Sequence, residues 1–171
     1  MFHRILVGVD DSKASREALT RAVELVEAGH GRLGLLSSAP AAPPLTSAGP
    51  IVLPVSRDRL EQELLNWAER NVEEAARQVP EHIPITKLVT RGRAAAALLR
   101  EARTGCWDLV VVGRSHRRRR LLGSVGERLN RRTGVPVLVV HEDPSDVRPD
   151  RPAAGVVPPP RRSRGAQPST A

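Results

Sequence analysis

The chain is poor in several of the residues on which common protein classes depend. It has one cysteine, Cys106, so no disulfide can form within it, and a reducing, cytoplasmic setting is expected. In Thr104-Gly105-Cys106-Trp107-Asp108 this thiol stands just ahead of an apolar run and reads as a small buried side chain. Tyrosine is absent, and two tryptophans and one phenylalanine complete the aromatic content. Single-stranded nucleic acid is held largely by stacking on aromatic rings, so nucleic acid is not the expected partner. The histidines at 3, 30, 82, 116 and 141 form no H-x-x-x-H pair, and no cysteine pair exists to complete a zinc site. No apolar run nears the roughly 20 residues that cross a bilayer. Met1-Phe2-His3-Arg4 leads directly into a strand-like run, without the apolar stretch of a secretory signal. A soluble cytoplasmic domain is the expectation.

Lysine is also scarce. The 27 basic residues include only Lys13 and Lys87, and the formal net charge is +8. The excess is uneven: residues 114–132 hold eight arginines against a single acid, Glu127. Anions would gather there.

The hydrophobic pattern alternates between two periods. Ile5-Leu6-Val7-Gly8-Val9 and Leu109-Val110-Val111-Val112 are unbroken apolar runs, as in strands buried on both faces. Leu33–Leu36, Ile83–Val89 and Val135–Val140 read as three more strands, the last with Pro136 inside it, which suits an edge or a dimer seam. Helical spacing marks 13–28, 57–79, 93–103 and 121–132. Strands alternating with helices predict an α/β fold: a doubly wound, five-stranded parallel sheet in the flavodoxin-like order 3-2-1-4-5, with helices on both faces. The expected domain is 1–143, interrupted by a proline-rich loop at 39–56, and 144–171 reads as a disordered tail with seven prolines.

In such sheets ligands bind beyond the carboxyl ends of the strands, where the order reverses. Asp10-Asp11-Ser12 and the segment from Gly113 to Ser124 would leave the two strands flanking that point. Gly113 permits close backbone approach, and Gly123-Ser124 would open a helix whose free amides attract an anion. Asp10 could accept from a ribose hydroxyl, hold Mg²⁺ through water, or cap the following helix. Gly29-His30-Gly31-Arg32-Leu33-Gly34 matches G-x-G-x-x-G, but it follows a helix and opens a strand. That is the reverse of a dinucleotide fingerprint, so it reads as a helix stop and turn. No G-x-x-x-x-G-K-[ST] loop is present. Adjacent Ser115 and His116 do not make a nucleophile–base pair, and no catalytic residue is assigned.

Taken in order, Ile5-Leu6-Val7-Gly8-Val9-Asp10-Asp11-Ser12, Ser15, Ala18-Leu19, Arg91-Gly92-Arg93, Asp108 to Gly113, Gly123-Ser124-Val125 and Val135 to Val140 resemble the universal stress protein family over residues 2–141. The resemblance implies a flavodoxin-like domain, commonly dimeric through the last strand (135–140 here), with ATP bound in some members. In those members the fourth strand runs into G-x-x-G, nine residues, then G-[ST]. Gly113 matches the first glycine, and Gly123 and Ser124 match the closing pair, with Val125 following. Asp10 matches the acidic residue after the first strand. Ser38 stands where a small apolar residue usually meets adenine.

Two departures bear on the ligand. His116 replaces the middle glycine, and only Arg117 to Leu122 separate it from Gly123, which makes the loop three residues shorter. Arg114, Arg117, Arg118, Arg119 and Arg120 place five guanidiniums beside the expected pocket, and arginine pairs bidentately with phosphate. Either charge has replaced backbone recognition, or nucleotide binding is lost and the arginines dock an acidic protein partner. The resemblance therefore implies a non-enzymatic regulatory module in stress response, with ATP and Mg²⁺ as its candidate ligands. Weak Mg-dependent ATP hydrolysis ranks last, because no general base is evident.

Overall fold

A computed structural model of the chain describes residues 2–41, 56–114 and 134–141. Its elements are β1 (Arg4–Gly8), α1 (Lys13–Gly29), β2 (Arg32–Ala39), α2 (Arg57–Arg77), β3 (Ile85–Arg91), α3 (Ala94–Thr104), β4 (Leu109–Arg114) and β5 (Val137–His141). The five strands form one sheet in the order β3-β2-β1-β4-β5, and every neighbouring pair is parallel. The expected fold class is the observed one.

Strand alternation splits the core in two. Ile5, Val7, Leu33, Leu35, Leu109 and Val111 face α1 and α2. Leu6, Leu36, Val110 and Val112 face the other way, toward α3 and Trp107. The central strands are closed on both sides, which is why their sequences are unbroken apolar runs. Ser12 starts α1 by accepting from the Ser15 amide at 3.1 Å. His30 ends it in the left-handed region (φ 50°), and the Gly31 amide returns to the Val26 carbonyl at 3.1 Å. The G-x-G-x-x-G run is therefore structural: Gly29 is the last helical residue, Gly31 abuts the His3 carbonyl, and Gly34 lies beneath the Trp107 ring.

Several boundaries differ from the sequence expectation, each for a local reason. β2 runs to Ala39 rather than Leu36 because Ser37 and Ser38 continue it. Ser37 is buried beside Asn71 of α2, whose Nδ2 lies 3.5 Å from its hydroxyl. β3 begins at Ile85, two residues late, because the Ile83 amide closes a turn onto the Pro80 carbonyl and Pro84 follows. β5 begins at Val137, with Pro136 just before it. The proline still offers its carbonyl to the Val110 amide at 2.9 Å, and the strand lies at the sheet edge. The expected helix 121–132, most of the 39–56 loop (42–55) and the tail (144–171) lie outside the described residues.

Cys106 corrects the expectation most clearly: it is exposed. The chain must turn Trp107 inward over Gly34, and it reaches that point through a left-handed residue, Cys106, at φ 56°. Trp107 donates to Glu101 at 3.1 Å, and the following Asp108 accepts from the amides of His3 and Arg4, both at 3.0 Å. With Trp107 packed inside and Asp108 tied to the start of β1, the Cys106 side chain is left outside. In the native protein the thiol should therefore titrate fully with an aromatic disulfide reagent within minutes. Reaction only at the rate of unfolding would contradict this placement.

Candidate functional site

The topology reverses at β1. The chain passes from β1 through α1 to β2 on one side, then returns through α3, on the opposite face, to β4 on the other side of β1. Gly8 pairs in register with Leu36 on one side and Val112 on the other, and the Val9 amide donates to the Leu36 carbonyl at 2.8 Å. Asp10, Ser38 and Gly113 consequently emerge at one sheet edge, from three adjacent strands. Such a reversal point is where α/β sheets accept ligands.

Asp10 is half-buried and held from two directions. Its amide donates to the Ser15 hydroxyl at 2.9 Å, and its Oδ1 accepts from the Ser12 amide at 3.0 Å. The second contact is an Asx turn. Capping of α1 falls to Ser12, so the alternative role of Asp10 as the helix cap is not the one it plays.

Ser38 lies on the α3 face. Its hydroxyl donates to the Gly92 carbonyl at 2.8 Å and accepts from Thr90 at 3.4 Å, while the Gly92 amide donates to the Ala39 carbonyl at 2.8 Å. The end of β2 is thereby tied to the Arg91-Gly92-Arg93 turn, where Gly92 has φ 106°. Arg91 and Arg93, both exposed, join the edge by this route. The sequence shows their motif but assigns them no position relative to Asp10.

Gly113 faces the other way, onto the first turn of α1. A Cβ there would collide with the Ala14 carbonyl and would stand 2.7 Å from the Ser15 amide. The glycine is required by helix packing before any ligand is considered. Arg114, half-buried, follows as the last residue of β4 and pairs in register with His141. His116, Arg117, Arg118, Arg119, Arg120, Gly123, Ser124 and Val125 lie outside the described residues.

Below the edge, a cleft of about 190 Å³ separates α1 from α2, with Val9, Asp10, Ser15, Asn71 and Gln78 among its walls. Ser15 and Asn71 are buried polar residues: Asn71 is bonded to Ser37 across 34 positions, Ser15 to Asp10 and Ser12 close by in the chain. The sequence singles out Ser15 as part of the family resemblance and as a serine among the alanines of an amphipathic helix, but gives it no role. Among the described residues no group of three or more His, Cys, Asp or Glu side chains could hold a metal ion. Asp10 would bring a single carboxylate, one oxygen of which already serves Ser12. Also among the described residues, no helix is long and apolar enough to cross a membrane.

The geometry defines a doubly wound α/β domain with a carboxylate, a hydroxyl and a close-packed glycine at its reversal point. Comparison with known proteins narrows this. The model of the universal stress protein family matches residues 1–141, and the chain belongs to that family. Universal stress protein YxiE of Bacillus subtilis is 29% identical over 150 residues, spanning 82% of this chain and 99% of that protein. Among solved structures, a universal stress protein family member from Burkholderia pseudomallei has a TM-score of 0.62 at 24% identity, covering 80% of this chain and 94% of its own. A universal stress protein in complex with cAMP has a TM-score of 0.52 at 24% identity, with 83% and 99% covered. The Archaeoglobus fulgidus protein in complex with dAMP has a TM-score of 0.58 at 15% identity, with 81% and 97% covered. At these identities the structural likeness speaks for the fold.

Gly113→Ala separates packing from ligand contact. Forcing a methyl against the Ala14 carbonyl should lower stability by about 1–3 kcal/mol, as overpacking does elsewhere. Urea unfolding of the ligand-free chain would read this loss. Unchanged stability would show that α1 does not bear on β4 as described.

Proposed function

We propose that the chain is a universal-stress-type regulatory module that binds an adenine nucleotide across the β1/β4 reversal point. One observation carries the reading: Asp10, Ser38 and Gly113 share one sheet edge, at or just beyond the ends of the neighbouring strands β1, β2 and β4. Family members of like fold hold cAMP and dAMP, which favours an adenine mononucleotide or ATP. In this reading Asp10 accepts from a ribose hydroxyl, and Ser38 borders the base with its hydroxyl already engaged by Gly92. Gly113 and Arg114 lead into the phosphate-binding segment, where His116, Gly123, Ser124 and Val125 take their roles from the sequence match. Arginine beside the phosphates supplies charge that the missing middle glycine does not. Mg²⁺ accompanying a triphosphate would meet Asp10 only through water.

The module acts by changing a partner's behaviour in stress response, in the cytoplasm, and no catalytic step is assigned to it. β5 lies at the edge of the sheet with Leu138 37% exposed, which supports a homodimer joined through 135–140. A second reading rests on the shortened loop and His116: a dimeric interaction module, free of nucleotide, that docks an acidic partner through Arg117, Arg118, Arg119 and Arg120.

Denaturing the purified chain and assaying the supernatant for adenine nucleotide tests the first reading, alongside thermal melts with Mg-ATP. A ligand at 100 times its Kd adds about 2.7 kcal/mol of stability. Asp10→Ala should weaken binding by about ten- to a hundred-fold, the size of a hydrogen bond to a charged group. No released nucleotide and no shift at millimolar ATP would leave the interaction module as the standing reading.

A further inference from the structure

We infer that Ser15 is a positioning residue for this site, fixing Asp10 through its main chain without itself meeting the ligand. The inference rests on the adenine-nucleotide reading. Ser15 is 4% exposed, in a helix whose other buried residues are alanine, leucine, valine and glycine. Packing alone would be served by another alanine. The hydroxyl instead accepts the Asp10 amide at 2.9 Å. The Ser15 amide donates to the Ser12 hydroxyl at 3.1 Å, and the Ser12 amide donates to Asp10 Oδ1 at 3.0 Å. These three bonds close a ring through Asp10, Ser12 and Ser15, so both the backbone and the carboxylate of Asp10 are set by the first turn of α1.

The same turn touches the other half of the site. The Ser15 amide and the Ala14 carbonyl are what a side chain at Gly113 would strike. One residue thus stands against the exits of both strands that flank the reversal. Its hydroxyl is separable from the helix cap, because Ser12 caps α1 through the Ser15 main-chain amide, which Ser15→Ala retains. Removing the hydroxyl frees the Asp10 amide and loosens the aim of the carboxylate, and a ligand group is sensitive to misplacement on the ångström scale.

ATP affinity by calorimetry on the full chain, for wild type, Ser15→Ala, Asp10→Ala and the double variant, tests this. Ser15→Ala should weaken binding by about ten-fold, within the range of coupled neighbours, and should weaken it no further once Asp10 is alanine. Ser15→Cys, close in size but a weak acceptor, repeats the measurement with packing kept and should behave as Ser15→Ala does. Unchanged affinity in either variant, or an equal loss in the Asp10→Ala background, overturns the assignment and makes Ser15 a packing residue. A wild-type chain that binds no adenine nucleotide overturns the nucleotide reading and this assignment with it.

Discussion

The C-terminal edge of the sheet is organised by the first turn of α1, wedged between the exits of β1 and β4. Three short hydrogen bonds join Asp10, Ser12 and Ser15 on one side of that turn. On the other side the Ala14 carbonyl and Ser15 amide rest so closely on β4 that only glycine fits at position 113. Helix, strand exits and carboxylate are therefore one mechanical unit. Two residues about a hundred positions apart, Asp10 and Gly113, take their relative placement from it.

The opposite edge is secured by different chemistry. Asp108 accepts from two amides at the start of β1, and the Trp107 ring covers Gly34 of β2. These contacts join β1, β2 and β4 where the strands begin, so the strands can end as a fixed platform. The reversal end gathers a carboxylate, two arginines beside Gly92 and another at the end of β4.

The sheet order was legible because β1 and β4 are apolar without interruption, and only strands covered on both faces read that way. The second half of β2 was not, since Ser37 and Ser38 look like a loop until Asn71 and Gly92 are seen to satisfy them. Cys106 was misplaced for a related reason. An apolar neighbourhood suggested burial, whereas a left-handed turn, forced by the inward swing of Trp107, puts the thiol outside. Within the candidate site, the sequence pattern singled out Asp10 and Gly113, the family resemblance added Ser38, and the strand register brings them to one edge. The sequence could not show that Gly113 answers to α1, a contact across about a hundred positions, or that the Ser15 hydroxyl turns back to the Asp10 amide rather than to solvent.

The central claim is that a nucleotide seats at the β1/β4 reversal, on the platform set by α1. The most direct measurement is the amide NMR spectrum of the full-length chain titrated with Mg-ATP. A nucleotide seated there should shift the amides of Asp10, Ser12, Ser15, Ser38, Gly113 and Arg114 most. Saturating nucleotide that leaves these amides unmoved, or that moves His3, Gly31 and Asp108 at the far edge instead, would contradict it.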